Sequence, residues 1–74
     1  MDKMNKNERE RLEKLTKNDC TFEEYVKAVH DVVREDSTEE ETLNAMKIYQ
    51  YAIREDYEKG KPVSSPAYWV WNCA

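Results

Sequence analysis

The chain is 74 residues long, 38% charged and 11% aromatic, with a formal net charge of −4. That length supports one domain with a modest core and leaves few buried positions for polar catalytic groups. Five Tyr and two Trp argue against disorder, and the acidic balance disfavours nucleic-acid phosphates and anionic membrane surfaces.

The charge is unevenly placed: residues 1–17 sum to +2, residues 18–58 to −8 and residues 59–74 to +2. One Gly and two Pro set among many Glu and Lys favour helix throughout. The expected fold is all-α: a small three-helix bundle with a short C-terminal aromatic helix or tail, built by residues 1–74 as a single domain.

Residues 1–6 are polar and expected to fray. A first helix is predicted near 6–17, with a thin apolar stripe of Leu12 and Leu15. Thr21 opens the clearest helix, predicted over 21–36. Thr21 and Glu24 stand at capping-box spacing, in which the hydroxyl serves an orphan amide and the carboxylate returns to the cap. Phe22, Tyr25, Val26, Val29, Val32 and Val33 then repeat on one helical face.

Thr38 and Glu41 repeat the capping-box spacing, with Glu39, Glu40 and Glu41 in a first turn where the helix dipole favours anions. This third helix is predicted over 39–59. Ala45, Ile48, Tyr49 and Ala52 lie on one side and Met46, Tyr49, Ile53 and Tyr57 on the other. So wide an apolar arc predicts a central helix covered on both sides. Gly60 suits the helix end, and Pro62 follows as a stop. Ser65 is placed to cap a last element, with Pro66 at its first position.

Catalytic chemistry finds little to use. His30 is the only histidine, and the sequence sets no Ser or Cys beside it, so it is read as solvent-facing on its helix. No D-x-D-x-D-G loop or H-E-x-x-H pair is present, so no metal site is expected. A single glycine leaves no phosphate-cradling loop, and no cofactor is expected. Cys20 and Cys73 are far apart without a CxxC pattern, which reads as two free thiols in a reducing compartment. No run approaches the length of a membrane span, and the charged N-terminus has no apolar signal core. The expected location is the cytoplasm of a bacterium or a host cell.

Two surfaces stand out. Glu35, Asp36, Glu39, Glu40 and Glu41 crowd one interhelical turn, with Asp31 beside them and Glu55, Asp56 and Glu58 as a further acidic group. Carboxylates so spaced suit a phosphate-like decoy that steers a basic protein partner, but ordinary surface charge and helix capping account for them more simply, since capping alone explains Glu41. Tyr68, Trp69 and Trp71 form an aromatic run of the kind enriched at binding hot spots. One Trp is expected to plug the core, leaving at least one of the three aromatics exposed as a partner face or an oligomer seam. The N-terminal bases are interleaved with acids, so direct nucleic-acid binding is not expected.

Cys20-Thr21 before a helix, the Ser/Thr-acid start near 37–41, and Val63-Ser64-Ser65 ahead of Trp69 give the chain an outline that resembles the haemolysin-expression-modulating family. The resemblance implies a small helical protein that docks on a nucleoid protein. From size, charge, composition and these two surfaces three functions are expected, and none is enzymatic. The first is an inhibitor or adaptor that occludes a target protein, of the kind found among phage and mobile-element accessory proteins, antitoxins and immunity proteins. The second is a regulatory subunit docking on a DNA-binding protein. The third is an oligomeric assembly protein.

Overall fold

A computed structural model describes residues 4–73 and shows an all-α chain. Five helices follow in order: α1 Lys6–Glu13, α2 Phe22–Arg34, α3 Glu39–Ile48, α4 Gln50–Glu58 and α5 Ser64–Cys73. The three predicted helices therefore become four, and the C-terminal aromatic segment is a helix.

Asn5 caps α1, its side chain accepting from the Glu8 amide, so the helix starts inside the stretch expected to fray. Residues 1–3 of that stretch lie outside the described residues. The helix ends at Glu13 and not near Lys17, because the following residues are bound otherwise. The Thr16 amide and hydroxyl both donate to the Asp19 carboxylate, at 3.0 and 3.1 Å. The Leu15 carbonyl accepts from the distant Val63 amide at 2.9 Å, tying this turn to the segment before α5.

The α2 helix follows its sequence signals closely. Thr21 and Glu24 complete the capping box, and Tyr25, Ala28, Val29, Val32 and Val33 are buried along the face predicted for it. This helix packs on all four others, so α2 is the central element. The third predicted helix was expected in that place. Its wide apolar arc is not covered on both sides, and Leu43, Ile48 and Tyr51 stay exposed.

That helix is also interrupted. Tyr49 has φ −101° and ψ 17°, outside the helical region, and separates α3 from α4. The hydrogen bonds through it survive: Tyr49 N–H donates to Ala45 and Ile53 N–H to Tyr49, both at 3.0 Å. The interruption is thus a bend, with Thr42 and Ala45 buried before it and Ile53 and Asp56 after it.

The end of α4 is a Schellman turn. The Gly60 amide donates to the Tyr57 carbonyl and the Lys61 amide to the Asp56 carbonyl, at 3.0 and 2.9 Å. Gly60 has φ +78°, a left-handed conformation that favours glycine. The turn delivers Val63, fully buried, and then α5, which buries Pro66, Ala67 and Val70. Ser65 does not cap α5, because the helix already begins at Ser64. Its hydroxyl instead donates to Asp56 Oδ2 at 3.0 Å. Asp56, expected on an acidic face, is buried by this arrangement, with Lys61 Nζ 3.9 Å away.

Two tyrosine hydroxyls lock the layers together. Tyr25 donates to the carbonyls of Lys61 and Pro62 at 3.0 and 3.2 Å, and Tyr57 donates to that of Cys20 at 3.1 Å. The rings of Phe22, Tyr57 and Tyr25 pack edge to face, with centroids 5.3 and 5.0 Å apart. Burial, then the Asp56 charge and Cys20, push the Tyr25 phenol well above its ordinary pKa. The remaining core is mostly Val and Ala, which pack closely without a large central side chain.

Candidate functional site

The acidic turn is where the sequence places it, between α2 and α3, but most of its carboxylates have local work. Glu41 accepts from the Thr38 amide at 3.1 Å and completes the second capping box, and these bonds lower its pKa. Glu39 is hydrogen-bonded to His30 of α2. Asp36 lies 3.6 Å from Arg9 of α1. Glu35 is half-buried, and its Oε1 has no hydrogen-bond partner among the described residues. Glu40 makes no ion pair or side-chain hydrogen bond among the described residues. Capping and interhelix pairing thus account for three of the five, and the turn still presents Glu40 and the exposed edges of Asp36, Glu39 and Glu41.

His30 is half-buried and not solvent-facing. Its Nδ1 meets Asp31 at 3.0 Å, while Nε2 meets both Glu39 oxygens. Burial alone would lower its pKa, but the hydrogen bonds and charges of Glu39 and Asp31 prevail and raise it.

The aromatic run is exposed throughout. Tyr68, Trp69 and Trp71 are 59%, 52% and 48% exposed, so neither Trp plugs the core. The reason lies in the helix register: Val63, Ala67 and Val70 already close the bundle beneath α5. Tyr68 and Trp69 pack edge to face at 5.7 Å. Tyr68 and Trp71 border a shallow groove of about 240 Å³, whose floor includes Val32, Val33 and Ala67 and whose far rim is Arg9 and Glu13 of α1.

Arg9 joins the two surfaces that the sequence marked separately. Its Nε lies 3.0 Å from Glu13 Oε1 on the groove rim, and its Nη1 lies 3.6 Å from Asp36 in the acidic turn. The fold thus links Asp36, through Arg9, to the rim of the Tyr68–Trp71 groove. Trp69 is not among the groove's lining residues. Arg9 itself was not singled out from the sequence. Its Glu13 partner four residues on reads only as helix support, and nothing local points to Asp36.

A second groove, of about 430 Å³, was also missed. Phe22 and Val26 of α2 line it together with Leu43, Met46 and Lys47 of α3. Gln50, Tyr51, Ile53 and Arg54 of α4 complete it. The signal was the breadth of the apolar arc over 43–57, which marks exposed as well as buried surface.

Other chemistry is sparse. Among the described residues no three His, Cys, Asp or Glu converge as a metal ion would require. Cys20 and Cys73 are free, and burial, with Glu24 and Asp19 nearby, raises the Cys20 thiol pKa. No helix among the described residues is long and apolar enough to cross a membrane. The chain matches no protein-family model, no curated protein and no solved structure. Its likeness in outline to the haemolysin-expression-modulating family therefore rests on the residues quoted above alone.

Proposed function

We propose that the chain is a non-enzymatic protein-binding domain, an inhibitor or adaptor that occludes part of a target protein through the α1–α5 face. The observation that carries this reading is the placing of half-exposed Tyr68 and Trp71 around an apolar groove whose rim residue, Arg9, reaches Asp36. Large aromatics with solvent on one side supply much contact area at little entropic cost, and they dominate interface energies. An acidic border beside such anchors favours encounter with a basic surface and fixes orientation more than it adds affinity.

The test compares two baits in lysate of the source cells, wild type and Tyr68→Ser/Trp71→Arg, by quantitative mass spectrometry. A protein retained by wild type and lost from the double variant is the expected result. An identical set of retained proteins would remove the α1–α5 face as the binding surface. The recovered partner also separates an inhibitor from a transcriptional modulator, since a modulator's complex would still hold DNA.

A further inference from the structure

We propose that the groove between α2, α3 and α4 receives an acidic amphipathic helix from a partner protein. This goes beyond the α1–α5 face. The two grooves share no lining residue, and they lie at opposite ends of α2, at Phe22 and Val26 for one and at Val32 and Val33 for the other.

The groove's apolar content is large and unpartnered. Leu43 is 54% exposed and Tyr51 80%, while Phe22, Val26 and Met46 are half-buried beside them. Its volume of about 430 Å³ is in the range of natural binding clefts. Methionine adapts to varied side chains, as in grooves that accept helices.

Charge decides what kind of helix. Acids outnumber bases sixteen to twelve in the chain, yet no carboxylate lines this groove and two cations do. Lys47 makes no ion pair among the described residues. The Arg54 guanidinium lies over the Phe22 ring at 5.1 Å, and its one ion-pair partner among the described residues, exposed Glu58, is 3.9 Å off. Both cations are thus open to a partner. They stand on either side of the Tyr49 bend, Lys47 on α3 and Arg54 on α4, and both line the groove. A facing helix with carboxylates along its flanks, around two or three large apolar anchors, satisfies both cations and fills the groove. A basic or neutral helix would leave Lys47 and Arg54 repelled or unpaired at the rim.

The test uses the full chain, labelled for amide NMR, and two synthetic helical peptides. The peptides share Leu and Phe anchors at i, i+4 and i+7, and their flanking positions are all Glu in one and all Lys in the other. The Glu peptide is expected to shift the amides of Phe22 and of residues 43–54 saturably. Its binding should weaken as salt rises, and weaken about ten-fold in Lys47→Glu/Arg54→Glu. Circular dichroism establishes that this variant is folded, and the milder Lys47→Gln/Arg54→Gln pair should fall between it and wild type. The Lys peptide should bind at least ten-fold more weakly. Equal binding of the two peptides, no saturable shift with either, or shifts confined to α5 would overturn the proposal. So would a concentration-dependent dimer, found without peptide and mapping to residues 43–54, which would assign the groove to a second copy of the chain.

Discussion

His30, near the end of α2, is hydrogen-bonded to Glu39, the first residue of α3, so one imidazole ties two helices across the turn that joins them. The link makes stability depend on pH. The folded-state pKa of His30 is raised, by Glu39 and Asp31 against the opposing effect of burial. A raised pKa means the folded chain binds the proton more tightly than the unfolded chain, whose histidine titrates near ~6.5. The stabilisation is therefore fully present below ~6.5 and is lost as pH rises through the folded pKa, for as long as the carboxylates remain ionised. Glu39 is half-exposed and screened, so the effect should be small, about 0.5 kcal/mol. Urea unfolding at pH 6 and pH 8.5 should show wild type losing about that much more than His30→Gln over the interval. Parallel pH profiles for the two would show that His30 contributes no latch.

Gly60 carries the turn between α4 and α5 with φ +78°. A Cβ there meets only the Lys17 side chain, at an unstrained 3.8 Å, so space is not the obstacle. The cost of Gly60→Ala is the backbone conformation itself, about 1 kcal/mol. Gly60→Asn should cost less, because Asn tolerates the left-handed region. Thermal melts of the three proteins should rank Gly, Asn, Ala. Equal melting of Gly and Ala variants would mean that the turn relaxes freely.

The segment after Gly60 is fixed by hydroxyls. Tyr25→Phe keeps the ring among Tyr57 and the core valines but leaves the Lys61 and Pro62 carbonyls without that donor. A loss of about 1–2 kcal/mol is expected from denaturant titration. Ser65→Ala removes the hydroxyl that serves the buried Asp56 carboxylate, and should cost a similar amount. Adding Asp56→Asn to Ser65→Ala should then restore part of the loss, because a neutral amide is cheaper to bury than a carboxylate. A double variant less stable than Ser65→Ala alone would place the main support of Asp56 in Lys61.

How much of this was legible in the sequence depended on how local the cause was. The α2 helix was readable because its cap, Thr21 with Glu24, and its buried stripe are neighbours along the chain. The Gly60 turn was readable for the same reason. The bend at Tyr49 was not, since Lys47-Ile48-Tyr49-Gln50 holds neither Pro nor Gly and the hydrogen bonds through it are kept. Asp56 read as surface charge because its partners, Ser65 and Lys61, reach it only once the Gly60 turn has folded back. The end of α1 was misplaced because Leu15 bonds to Val63, 48 positions away. The acidic turn and the aromatic run were each visible, but their meeting through Arg9 is a tertiary fact with no trace in spacing.

The exposure of the tryptophans reverses the ranking that side-chain size alone would give for α5. Val70 is fully buried and touches the valine core, whereas Trp69 and Trp71 keep about half their surface in solvent. Val70→Ala opens a cavity beneath the helix and should cost about 2 kcal/mol. Trp71→Arg and Trp69→Arg each remove a far larger side chain but leave a long aliphatic stem to cover the same ground, with the charge in water. Each should cost less than Val70→Ala in urea unfolding, and Trp71→Arg should still abolish binding at the α1–α5 face. If Trp71→Arg were the more destabilising change, Trp71 would be a structural plug. Its loss of binding would then report unfolding, and only Tyr68 and the acidic border would remain as candidates for recognition.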